Sequence, residues 1–462
     1  MNRNDLNKIS VPSSMTIQSV MERMNETAAL TESKGFVVVV NGRDQVIGVV
    51  SDGDIRNFLA KKANLSAQVR DIVKRDFVSI RPDENANSVL RKFERNKLNL
   101  PVLDQRQRLI DLINYSSFSL IELGQQQIIR ARVPGRISFS GGGTDLTQSF
   151  EDQHTAVLAT TIQQYCTTSL LRRDDNEIHI SSKNLGSDYV AEDITSIEFG
   201  DNLDLIKAAV KAMHPTCGLN VEVVSEIEPG TGLGGSSAMV GSVLSCLNAL
   251  RGDEQLELYE LADLAYQVER IEMGLAGGWQ DQYATIFGGL NWIDFSDKEI
   301  LVSPLRLQRD TYLELENNLL LFRVGVSRDS ASLQQNLKRK AGRSASNNAI
   351  FKQIYSHSLK MRQALLRGQV KAFGDLLDQS WRLKKLHNNA VTNSLIESCY
   401  DKARKIGALG GKLLGAGSGG YLLIYAAPLY HKDLEFELGQ LGAKRQPLNF
   451  SSKGVEVWKV KR

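Results

Sequence analysis

Ten residues constrain this chain most: Pro229-Gly230-Thr231-Gly232-Leu233-Gly234-Gly235-Ser236-Ser237-Ala238. They follow a strand-like run, Leu219 to Ile227, and open a helix-like run, Ala238 to Leu250. A glycine-rich turn from strand to helix is a phosphate cradle. Glycines let the backbone approach the anion, and the helix N-terminus adds unpaired N–H donors and the positive end of its dipole. Ser236 and Ser237 put hydroxyls where a metal-bound triphosphate needs them. A purely structural turn is the alternative, but it has no use for the double serine. Gly230, Gly232 and Gly235 also satisfy G-x-G-x-x-G, as do Gly415, Gly417 and Gly420. A dinucleotide site needs a following helix and an acid about 20 residues on, after a second strand. The acids after the first loop open another helix, and the second loop runs into a strand, Tyr421–Tyr425. No Gly-Lys-Ser/Thr follows either loop, which excludes a P-loop.

The rest of the composition narrows the partners. A chain of 462 residues implies two or three domains. A net charge of +3 gives no case for nucleic acid or an anionic membrane. The four cysteines and six histidines show no disulfide or zinc spacing. The polar start MNRNDLNKIS and the lack of a long apolar run predict a cytoplasmic protein.

Along the chain the character changes once. The first ~120 residues alternate short strands and helices, and the pattern partly repeats at a spacing of roughly 60 residues, which predicts an internal duplication. Ser116–Gln127 reads as a linker. Beyond it come Gly-rich turns and long helical patterns. In one of these, Gln255–Met273, the residues Leu258, Leu261, Ala265, Val268 and Ile271 recur at helical spacing.

Three segments together carry a resemblance. Pro229–Ala238 is similar to the second motif of the GHMP kinases, Pro134-Gly135-Arg136 leading to Gly141-Gly142-Gly143-Thr144-Asp145 to the first, and Gly415–Gly420 to the third. The order is the family's, over about residues 128–462. The resemblance implies ATP and Mg²⁺ as cofactors, with Pro229, Gly230, Gly232, Leu233, Gly234, Gly235, Ser236, Ser237 and Ala238 around the nucleotide. It implies a metal held by Ser237, with Ser236 second, and by an acid on the preceding helix, where Glu269 matches and Glu272 competes. Asp281, in Gly277-Gly278-Trp279-Gln280-Asp281-Gln282, resembles the catalytic aspartate; a turn aspartate is its alternative. Transfer to a sugar hydroxyl needs such a carboxylate to orient the nucleophile and take its proton.

The Gly-Gly-Gly-Thr-Asp of the first motif resembles the branch of heptose 7-phosphate kinases and fucokinase-like enzymes. It implies an acceptor site of Arg136, Gly142, Gly143, Asp145, Lys412 and Gly417. Arg136 either binds a phosphate already on the sugar or pairs with a carboxylate. Lys412 and Arg328 either meet that phosphate or are solvated charges. The implied reaction is phosphorylation of the anomeric O1 of a sugar phosphate. A fucokinase-like acceptor and a non-catalytic sugar and nucleotide sensor are the rivals.

The N-terminal duplication resembles a tandem CBS pair. Gly48–Asp54 is similar to that family's ribose-binding stretch, which implies an adenine nucleotide on Ser51 and Asp54. Leu112–Ser117, the second copy, has lost the glycine and aspartate. The alternative is a ligand-free dimerisation module, and a homodimer is expected. The expected fold is α+β: an α/β CBS pair over 1–120, a linker over 121–127, an S5-like kinase lobe over 128–310 and a ferredoxin-like lobe over 311–462.

Overall fold

A computed structural model describes residues 3–28, 35–82, 84, 86–93, 98–115, 127–150, 153–252, 254–297, 299–325, 345–415, 417 and 419–461. It divides into two compact units, Met1–Gln126 and Gln127–Arg462.

The first unit carries the duplication in its strand pairing. β1 (Ser10–Pro12) runs parallel to β2 (Phe36–Val40), which pairs antiparallel with β3 (Val46–Ser51). The valine run of β2 is β-branched and buried, which suits a covered strand. The second half repeats the scheme in reduced form. Ile80 bridges Val102 in parallel, and β4 (Asn99–Leu103) pairs antiparallel with β5 (Leu109–Asn114). Both hairpins are bulged at the same place, between Val39 and Val40 and between Val102 and Leu103. The linker reading falls almost wholly on residues 116–126, outside the described residues; Gln127 already opens a strand.

In the second unit one sheet is organised on a long strand. β6 (Gln127–Ser140) pairs with β7 (Thr155–Arg172). The other edge of β7 is shared by β10 (Leu219–Ser225) and β11 (Leu290–Phe295). β8 (Ile178–Ser182) and β9 (Ser187–Ala191) extend the sheet beyond β10, and β12 (Ile300–Pro304) beyond β11. Helices Asp204–Ala212, Gly235–Asn248 and Leu258–Tyr266 share a core with this sheet. Val240, Val243 and Leu244 of the central helix are fully buried, each worth roughly 1.5–3 kcal/mol.

The second lobe follows the β-α-β-β-α-β order of a ferredoxin-like fold, with three α-helices in place of the first one among the described residues. β13 (Leu319–Val324), β14 (Gly410–Leu413), β15 (Gly420–Tyr425) and β16 (Lys444–Gln446) form an antiparallel sheet in the order β14-β15-β13-β16. The expected lobe division fails at the C-terminus. β17 (Phe450–Ser451) and β18 (Glu456–Lys461) return to the first sheet, on β7 and β6. β18 covers the edge that β6 would otherwise leave open.

Two local readings also change. The central helix begins at Gly235, three residues before the expected Ala238, so both serines lie in its first turn. The helical repeat of 255–273 breaks at Gln267–Glu272, a π turn. Its wider turn slips the apolar phase. Ile271, the last of the apolar residues that recur at helical spacing, is 70% exposed, while Glu269 is fully buried.

Candidate active site

The glycine-rich loop is built as the sequence requires. Gly230, Gly232 and Gly234 have φ of +71°, +81° and +74°, a region that disfavours side chains. Gly232 serves a second purpose. A Cβ there would lie 2.7 Å from the Cα of Gly415, and a Cβ on Gly415 would lie 2.4 Å from the Cα of Gly232. The second and third motifs therefore touch backbone to backbone. The first motif is tied in as well. A bulge between Pro134 and Gly135 shifts the register of β6, and the Arg136 N–H donates to the Leu233 carbonyl at 2.8 Å.

Asp281 stands in the first turn of helix Gln280–Phe287. Its Oδ1 accepts from Arg136 Nε at 2.8 Å and Nη2 at 2.5 Å. Its Oδ2 takes no hydrogen bond among the described residues. Arg136 also donates to the Gly232 carbonyl. The guanidinium thus pairs with a carboxylate and the loop, the second of the two readings open for it. Asp145 is buried and serves this helix: it accepts from the N–H groups of Gly143 (3.0 Å) and Gln280 (3.1 Å) and from Gln280 Nε2 (3.3 Å). Burial first, then the charge of Asp281, raises its carboxyl above the usual range, against these N–H donors.

Ser237 and Glu269 meet. The Ser237 hydroxyl donates to Glu269 Oε2 at 2.6 Å, and Gln282 Nε2 donates to the same oxygen. The other oxygen, Oε1, is buried and has no hydrogen-bond partner among the described residues. A hydroxyl and a carboxylate with an unsatisfied lone pair are hard oxygen donors and fit Mg²⁺. Glu272 is exposed and bonds Gln267, so it is not the acid beside Ser237. No cluster of three or more His, Cys, Asp or Glu that could hold a metal occurs among the described residues, so phosphates and water must complete such a site.

A cavity of about 770 Å³ unites these parts. Pro229, Gly230, Gly232, Gly234, Gly235 and Ser236 line it, as do Arg136, Gly142, Gly143, Asp145, Asp281 and Lys412. Leu233 and Ala238 do not; both are core residues. Ser237 and Glu269 lie behind the wall, and Ser236 is the serine that faces inward. Gly417 is also off the wall, where a Cβ would strike the Val391 backbone at 2.5 Å; Gly415 lines the cavity in its place. Arg328, Ala416 and Ser418 lie outside the described residues.

Lys384 and Arg270 are among the lining residues that the sequence reading did not single out. Lys384, on helix Val370–His387, donates to the carbonyls of Leu413 (2.9 Å) and Gly415 (2.6 Å). Burial, then the Arg136 charge, pushes its ammonium down to about 7. Lys412 is buried, not a solvated charge, and donates to the Phe139 carbonyl at 3.2 Å. Burial, then Lys384 and Arg136, holds it well below the usual lysine range.

In the first unit, Ser51 caps helix Asp52–Lys62 in a box with Asp54. Asp54 Oδ2 accepts from the Ser51 N–H (2.9 Å) and hydroxyl (2.7 Å), and Oδ1 pairs with Lys74 at 2.6 Å. Burial opposes ionisation there, but Lys74 and Ser51 outweigh it and hold the carboxyl below its usual range.

The model of the GHMP kinases N terminal domain matches residues 204–289, that of the GHMP kinases C terminal matches 361–431, and the CBS domain matches 1–61 and 69–118. A D-glycero-alpha-D-manno-heptose 7-phosphate kinase from Campylobacter jejuni is 31% identical over 342 residues, covering 72% of this chain and 99% of that one. A bifunctional fucokinase/GDP-fucose pyrophosphorylase from Arabidopsis thaliana is 26% identical over 321 residues, covering 65% of this chain and 30% of that one. The crystal structure of a D-glycero-D-manno-heptose 1-phosphate kinase from Bacteriodes thetaiotaomicron matches with a TM-score of 0.60 at 25% identity, over 72% of this chain and 100% of that one. No helix among the described residues is long and apolar enough to cross a membrane.

Proposed function

The chain belongs to the GHMP kinases, as a sugar kinase with N-terminal CBS domains, and on that premise we propose that it phosphorylates the anomeric O1 of D-glycero-D-manno-heptose 7-phosphate. The product is the 1,7-bisphosphate, a precursor of nucleotide-activated heptose for surface polysaccharide. One observation carries the reading. Asp281, with one oxygen held by Arg136 and the other unbonded, lines the same cavity as the 230–235 loop.

The residues divide the work. The loop glycines and the N-terminus of helix Gly235–Asn248 bind the ATP phosphates and offset charge that develops on the transferring group. Arg136 fixes the carboxylate of Asp281, and Oδ2 accepts the proton of the sugar hydroxyl as the sugar oxygen bonds to the γ-phosphorus of ATP and the bond from that phosphorus to the departing ADP breaks. Asp145 anchors the helix that carries Asp281. Magnesium, when bound, neutralises phosphate charge; Ser237 and Glu269 are the residues that would hold it.

Phosphorus NMR of ATP–Mg²⁺ turnover tests the acceptor. A new anomeric phosphate signal is expected with heptose 7-phosphate and none with L-fucose or D-galactose. The similarity to a fucokinase makes L-fucose the second reading. Turnover of L-fucose alone would keep the kinase and replace the acceptor.

For the first unit the proposal is an adenine nucleotide whose ribose hydroxyls take Asp54 from Lys74. Calorimetry on the full chain is expected to show an AMP binding event that Asp54→Ala removes. An isotherm identical in the variant rules this site out.

A further inference from the structure

Lys384 and Lys412 have no role in the chemistry above. Both reach the cavity from the second lobe, one from helix Val370–His387 and one from β14. Lys412 is 3% exposed, and a buried ammonium is costly unless a counter-charge accompanies it. Among the described residues neither lysine has a carboxylate within ion-pair distance; each donates only to backbone carbonyls. The nearby carboxylate of Asp281 is engaged by Arg136. Arg136, Lys384 and Lys412 line one cavity close enough together for their charges to act on one another. Their mutual repulsion is what presses both lysines toward the neutral form, after burial itself. A dianion at this place removes both penalties.

We propose that Lys384 and Lys412 bind the phosphate that the acceptor already carries, and so make the enzyme select a phosphorylated sugar over the free one. This assignment rests on the sugar phosphate reading of the site. The phosphates of ATP have their own donors in the 230–235 loop and the helix that follows it. Lys412 stands on β14, while Lys384 bonds the carbonyl of Gly415, the residue that abuts Gly232 of that loop. Lys412 is tied to the carbonyl of Phe139, at the end of β6 just before the Gly141–Asp145 turn, and Lys384 to the carbonyls of Leu413 and Gly415. Ammonium groups suit this use: they are point charges with rotatable donors, and they can leave a carbonyl for a phosphate oxygen without moving the backbone.

The test uses the full chain with Lys384→Met and Lys412→Met. Each keeps the apolar stem and removes a buried charge, so each should melt no lower than the wild type. Lys384→Arg, which keeps the charge, checks any loss of folding. Expected is a rise of at least tenfold in KM for heptose 7-phosphate, with KM for ATP within twofold. The preference for heptose 7-phosphate over the unphosphorylated heptose should fall at least tenfold. A rise in KM for ATP instead assigns the pair to the nucleotide and overturns the proposal. A fall in kcat with both KM values unchanged assigns it to the transferring phosphoryl group and overturns it too. Calorimetry with inorganic phosphate gives an arm independent of turnover. If the wild type phosphorylates only free sugars, the acceptor reading fails by itself. Phosphate bound by the wild type and not by Lys412→Met then still supports an anion site at the pair, and equal binding by both refutes it.

Discussion

Asp281→Asn is expected to lower kcat about a thousandfold with KM for ATP nearly unchanged, within the range for loss of a general base. Asparagine is isosteric, and its carbonyl oxygen can still accept from Arg136, so the helix N-terminus and the loop contact of Arg136 persist. What disappears is an oxygen able to take a proton in place of Oδ2. The discriminating comparison is Asp281→Ala. Arg136 is buried, with only 4% of its side chain exposed, and Asp281 is its ion-pair partner. Removing that partner leaves a buried guanidinium uncompensated, which costs about 3–5 kcal/mol. Alanine should therefore lose both activity and stability, and asparagine mainly activity. Steady-state kinetics and thermal melts on the two variants separate the roles. A kcat for Asp281→Asn within tenfold of wild type reduces Asp281 to a structural partner of Arg136.

What the sequence revealed and what it hid follow the range of the forces involved. The phosphate loop was legible because positive-φ glycines and a strand-to-helix switch are local signals. The ferredoxin-like order of the second lobe came through family resemblance to the third motif. The Arg136–Asp281 pair spans 145 positions, and Arg136 had two open readings that only a tertiary contact could separate. The π turn escaped because the apolar repeat through Ile271 is a regular helical pattern, and nothing in it marks a wider turn. That turn is nevertheless what faces Glu269 inward. The lysines were harder still. Surface exposure is the ordinary state of a lysine, so a buried ammonium is visible only once helix Val370–His387 is packed on β14. The strand return of β17 and β18 is a long-range pairing with no local signature.

Glu269→Gln tests the proposed metal site, and activity should drop about a hundredfold at limiting Mg²⁺, with part of the loss recovered at high Mg²⁺. The substitution is conservative in shape. Its carbonyl oxygen can occupy the place of Oε2 and still accept from Ser237 and Gln282. Its amide nitrogen would replace the unpartnered Oε1, which leaves a donor where the carboxylate had a lone pair. A cation would then meet neither negative charge nor a free acceptor. If the pair is only a buried structural contact, the change is nearly neutral or even stabilising, since it removes a charge from the interior. The two cases differ in binding as well as in rate. Calorimetry of ATP with and without Mg²⁺ should show a magnesium-dependent gain in affinity for the wild type that Glu269→Gln loses. Ser237→Ala should behave like Glu269→Gln, whereas Ser236→Ala should not, even though Ser236 is the serine that lines the cavity. The reverse result, a strong effect of Ser236→Ala and little from Ser237→Ala, would move the metal to the cavity wall. Glu269 would then be a scaffold for the first turn of the phosphate-binding helix.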